Sequence, residues 1–193
     1  MKSVFIISLL TFAVKLMAQN EPLPYAEIPA YPENFTAGSV ASRIVDGLGF
    51  RFYWATEGLR PEDLSFKPND DARTCQETIE HIYTMSALIH NSTLQKMNGQ
   101  AQEKLSFEEM RKRTLENLKA ASDRLRVSSD KEIEEYKIIY KRGDSTVEYP
   151  FWNQLNGPIA DCIWHVGQIV SFRRSSGNPF NEKVSVLTGT VRK

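Results

Sequence analysis

The sequence predicts an all-α protein, a four-helix bundle with one short β-prone hairpin between helices three and four. Three observations predict it. Apolar residues recur at helical spacing in four separate stretches, glycine, proline or asparagine breaks each stretch from the next, and between the third and fourth residues 136–149 change to strand-like composition. A chain of 193 residues holds one domain with a sizeable core.

Residues 1–18 read as a signal peptide. Lys2 supplies the positive start, an apolar run over residues 4–14 is interrupted only by Ser8 and Thr11, and Ala18 offers a small residue near the cleavage point. The run is shorter than the ~20 residues that span a bilayer, so export to the periplasm or the extracellular space is expected, without stable membrane insertion. Residues 19–37 hold Pro22, Pro24, Pro29 and Pro32 and form an extended lead-in. The helical domain occupies residues 38–180.

Helix one is expected over residues 39–57, capped by Ser39 and stopped by Gly58. Val40, Ile44, Leu48 and Phe52 give it a core stripe at i+4 spacing, and Gly47 and Gly49 mark a close helix contact or a kink. Two prolines make residues 60–68 a loop with at most one short turn. Helix two follows Asp71 and ends at His90. His81 lies on the shoulder of its buried face, whereas His90 falls on the opposite side, so the two cannot ligate one ion together. Helix three opens at Ser106 with a capping pattern and runs inward through Phe107, Met110, Leu118, Ala121 and Leu125. Its Arg111, Lys112, Arg113, Glu116 and Lys119 read as a solvated face.

The hairpin flanks Arg142-Gly143-Asp144-Ser145, where Gly-Asp is turn chemistry. Helix four spans residues 151–176, with Pro158 either kinking it or marking its true start. The tail, residues 181–193, is β-prone and has no evident partner. Cys75 and Cys162 either pair, bracing helices two and four, or serve as two small core hydrophobes. With 24 basic and 24 acidic residues, the chain has no electrostatic footprint for nucleic acid.

Chemistry concentrates on helix four. Asp161, His165 and Gln168 stand at i, i+4 and i+7 and so form one polar stripe. Two shoulder positions on packed helices, His81 on one and Asp161 with His165 on the other, bring two imidazoles and a carboxylate to one groove. That donor set suits a divalent transition ion, Zn, Ni, Mn or Fe, with a position left open for water or substrate. Gln168 would orient a ligand from outside. Against this stands a plain polar contact at a helix interface.

Three stretches carry a family resemblance: Leu59-Arg60-Pro61-Glu62-Asp63-Leu64-Ser65-Phe66-Lys67-Pro68, Thr78-Ile79-Glu80-His81-Ile82, and His165-Val166-Gly167-Gln168-Ile169 followed by Arg173-Arg174 and Gly177-Asn178-Pro179. With these the chain resembles the DinB-like superfamily of metal-dependent four-helix bundles. The resemblance implies metal ligands from helices two and four, with His81 and His165 at two of the three positions. The third falls on Asp161 where the family carries histidine, a change that bears on metal preference and affinity. The expected function is that of an exported metal-dependent enzyme acting on a small molecule, transferase in type by the resemblance or hydrolase by the compartment, with homodimer formation left open. The alternative is a non-catalytic binding module whose groove is lined by Phe50, Phe52, Tyr53, Trp54 and Trp164.

Overall fold

Every long helix before the hairpin begins at a hydroxyl. In the computed structural model, which describes residues 22–99 and 103–193, Thr36, Thr74 and Ser106 cap helices α1 (Ala37–Thr56), α3 (Cys75–Thr93) and α4 (Phe107–Val127). The cap of α1 is thus Thr36 and not Ser39. Ser39 is its partner three residues on, its Oγ accepting from the Thr36 N–H at 2.8 Å, so the helix starts a turn's fraction earlier than expected. The expected signal peptide lies outside the described residues. Among the described residues no helix is long and apolar enough to cross a membrane.

The fold is mostly helical. A short helix α2 (Pro61–Ser65) starts on Pro61, as the proline pair demands, and precedes α3. After α4 come a six-residue helix α5 (Asp130–Glu135), the strands β2 (Lys137–Arg142) and β3 (Ser145–Pro150), and helix α6 (Phe151–Gln154). A π-helical turn over Leu155–Ile159 then leads into α7 (Ala160–Ser175). The kink expected at Pro158 is present, its irregular backbone carried by Gly157 at φ −96 and ψ −109. β2 and β3 pair antiparallel as expected, with Gly143 turning the chain at φ +61, and a two-residue strand β1 (Met97–Asn98) joins β2 in parallel. The tail is not unpaired: β4 (Val184–Ser185) pairs with β5 (Thr190–Val191).

The four long helices close a ring, α1 on α4, α4 on α3, α3 on α7 and α7 back on α1. Leu48, Phe52, Ile79, Ile82, Leu115, Leu118 and Ile169 fill its centre with no more than a trace of exposure. The expected stripe on α1 is only half buried, because Leu48 and Phe52 are inside while Val40 and Ile44 remain 47% and 40% exposed. Strict i+4 spacing advances about 40° per step, so four such residues sweep about 120° and cannot all face one neighbour.

Polar ties fix the ring. Asp46, fully buried on α1, accepts from the Tyr25 hydroxyl at 3.1 Å, from Ser122 Oγ at 2.5 Å and from Arg126, joining lead-in, α1 and α4. The Tyr25 ring lies over Gly49, where a Cβ would stand 2.4 Å from it, so the close approach at that glycine is to the lead-in and not to another helix. At the other end, buried Arg173 donates to the carbonyls of Trp54, Ala55 and Glu57 at 3.0–3.1 Å. These are the C-terminal carbonyls of α1, left over by the helix and favourable to a cation.

Candidate metal centre

The site is built by two helices that meet antiparallel. α3 presents His81 on the edge of a face whose centre is Ile79, Ile82 and Ile89, all fully buried. α7 buries Cys162, Val166 and Ile169 and leaves Asp161 and His165 one turn apart on the flank nearest α3. The two flanks meet as the spacing predicts. His81 Nε2 lies 2.9 Å from Asp161 Oδ2, and His165 Nε2 lies 3.5 Å from Asp161 Oδ1. The imidazole rings stand edge to face with centroids 4.7 Å apart.

One ligand atom from each of the three residues falls within 4.8 Å of the others. Two ligands held at about 2.1 Å from a tetrahedral ion would lie about 3.4 Å apart; the His165–Asp161 separation of 3.5 Å is near that spacing, whereas His81 and Asp161, at 2.9 Å through the other carboxylate oxygen, are joined by a direct hydrogen bond. His81, Asp161 and His165 could therefore hold a metal ion. Their side chains are 26%, 40% and 16% exposed, so the cluster sits at the rim of the helix interface with a path to solvent.

Gln168 occupies the expected place. Its Oε1 lies 2.7 Å from His165 Nδ1. An amide oxygen only accepts, so Nδ1 carries a proton, and in the neutral imidazole Nε2, the atom facing Asp161, keeps its lone pair. This is the tautomer a metal ligand needs, held by a neighbour in the manner typical of ligating histidines.

No family model, curated protein or solved structure matches the chain. What the cluster can do rests on its own donor atoms. Two nitrogens and one carboxylate, with no sulfur, favour borderline divalent transition ions over the all-oxygen preference of calcium or magnesium.

The remaining candidates fall away for physical reasons. His90 is half-buried beside Asn117, and burial lowers its pKa from 6.5. Glu80 is exposed and accepts from Gln76 at 3.3 Å. Cys75 and Cys162 are both free and fully buried, which decides between the two readings in favour of core hydrophobes. Burial pushes the Cys75 thiol up to about 12 and that of Cys162 also upward, so neither is a ready thiolate.

The five aromatic residues expected to line a groove do not do so together. Phe50 and Phe52 are wholly inside, Tyr53 carries the Arg111 guanidinium 4.7 Å over its ring, Trp54 donates to Ala26 O at 3.1 Å, and Trp164 is 73% exposed. Aromatic type alone could not tell these environments apart. Missing from the sequence reading was the partnership of Asp63, whose buried carboxylate accepts from Arg60, Ser176 and Asn178. The Pro61 start and the acidic first turn of α2 were its only local signal.

Proposed function

We propose that the chain is a DinB-like metal-binding protein, its long helices forming a four-helix bundle, in which His81, Asp161 and His165 hold one divalent transition ion. The reading makes it a metal-dependent enzyme of hydrolase or transferase type acting on a small molecule. It is carried by one observation, the convergence of three ligand atoms within 4.8 Å from helices α3 and α7. Support comes from Gln168, which sets the His165 tautomer.

When bound, such an ion would polarise a carbonyl or lower the pKa of a water. The chain's own contribution is to orient the donors. Asp161 places one oxygen toward each imidazole, His165 is fixed by Gln168, and partial exposure of all three admits a small molecule. Export after cleavage near Ala18 favours hydrolysis over thiol transfer, since low-molecular-weight thiols are cytosolic.

A second reading, a small-ligand binding module without catalysis at the same inter-helix groove, is favoured by the outward turn of Glu80. That leaves no further carboxylate or imidazole in the cluster among the described residues. Elemental analysis of protein purified without chelator, beside the His81→Ala, His165→Ala double variant, tests the metal. Metal in the wild type alone is expected, and equal content in both would sink the assignment. Turnover of ester, amide or thiol-transfer substrates, abolished in the double variant, separates enzyme from binder.

A further inference from the structure

α7 carries two parallel stripes. Asp161, His165, Gln168 and Phe172 form the one toward α3. Ile163, Gly167, Val170 and Arg174, two residues out of phase and so about 200° round the helix, form the other. The second stripe floors a groove of about 420 Å³ whose other walls are Arg51 of α1 and, from the tail, Phe180, Val184 and Val186. This is within the size of small-ligand pockets, roughly 300–1,000 Å³.

Three features of this groove lack an internal explanation. Gly167 sits in mid-helix, where glycine costs about 1 kcal/mol relative to alanine. Its backbone is not in the left-handed region, and a Cβ there would meet nothing within 4 Å, so neither conformation nor packing inside the chain requires it. Arg174 is exposed and, among the described residues, has no carboxylate partner. Arg51 likewise pairs with no carboxylate there, bonding only to Gly47 O of its own helix at 2.9 Å. Two guanidiniums thus line an apolar trough whose floor carries no side chain at Gly167.

We propose that this groove, on the face of α7 turned away from the metal cluster, binds a small amphipathic anion, a carboxylate with an apolar body. The carboxylate lies between Arg51 and Arg174, matching the planar fork of each, and the apolar body runs over Gly167 against Val170, Phe180 and Val186. The occupant is neither a neutral lipid nor a bare anion, because the trough offers apolar contact and positive charge together. This site stands apart from the metal reading, since no residue is shared between the two.

The test is an amide NMR titration of the full chain with octanoate, acetate and 1-octanol in parallel. Octanoate is expected to shift the resonances of Gly167, Val170 and Arg174, with acetate and 1-octanol at least about fivefold weaker, the scale of a solvent-facing charge contact. Gly167→Leu should fill the trough and abolish octanoate binding, with an unchanged amide pattern on α3 and α4 as proof of folding. Arg174→Gln, at an exposed position, should weaken octanoate about fivefold and leave 1-octanol unaffected. Absence of octanoate binding, equal binding of octanoate and 1-octanol, or undiminished octanoate binding by folded Gly167→Leu would each overturn the proposal. So would shifts confined to the opposite stripe around His165, which would place the carboxylate at the cluster instead.

Discussion

Replacing Gln168 with leucine isolates what its side chain does for the cluster. The hydrogen bond from His165 Nδ1 to Gln168 Oε1 spans 2.7 Å, and the His165 side chain is only 16% exposed, so water is a poor substitute. Without the acceptor, the imidazole loses both its orientation and its bias toward a free Nε2. Partners of this kind are worth about 10–100-fold in metal affinity, or about 1.4–2.7 kcal/mol. Competition of purified protein against a chromophoric zinc chelator reads that change directly. Gln168→Leu should bind zinc about 10–100-fold more weakly than wild type. Gln168→Glu, which still offers an accepting oxygen, should fall much less. If Gln168→Leu holds zinc as tightly as wild type while His165→Ala releases it, the tautomer argument is wrong. If both variants hold zinc as tightly as wild type, His165 is not a ligand at all.

Three further outcomes are expected. Asp63→Ala removes a fully buried carboxylate that accepts from Arg60, Ser176 and Asn178, and should cost about 3 kcal/mol in urea unfolding, the low end for a broken buried pair because Arg60 can turn to solvent. The Arg60 guanidinium holds the Asp63 carboxyl well below its usual 3.8, so its contribution is complete above that value and disappears as pH falls through the lower, folded one; the alanine variant should lose less stability than wild type on acidification below pH 3.8. Burial lowers the His90 pKa from 6.5, so its contribution is present above 6.5 and lost as pH falls below it, and His90→Gln should flatten the dependence of the urea midpoint on pH just below 6.5. Both thiols, fully buried and shifted upward, should resist a disulfide reagent in the native state and react together once the protein is unfolded.

The helical periods carried most of what matters to the site. A rotation of 100° per residue placed His81 on a shoulder, put Asp161, His165 and Gln168 in one stripe, and set His90 aside, because those relations are internal to single helices. Relations between distant segments were not legible in the same way. The tail hairpin docks on the lead-in through Ile28 N to Gly189 O at 2.9 Å, a contact without any local pattern. Helix α5 could have been found, since Ser129 and Glu132 form a capping box, but its single buried apolar residue, Ile133, gives no period. The stretches 59–68 and 173–179, which carry the family resemblance, meet through Asp63, Arg173 and Asn178 at the end of α1. In this chain they tie helix ends, and the three residues that could hold a metal lie elsewhere.

The π-helical turn at Leu155–Ile159 sets the angular phase of everything after it. In an uninterrupted helix Asp161, seven residues after Gln154, would lie within about 20° of the direction of that glutamine. Gln154 is wholly enclosed, so the carboxylate would enter the hydrocarbon interior. The kink at Gly157 and Pro158 breaks that phase, and Asp161 and His165 come to lie at the rim instead. Straightening that kink into continuous helix would therefore swing both side chains away from His81 without altering any of the three.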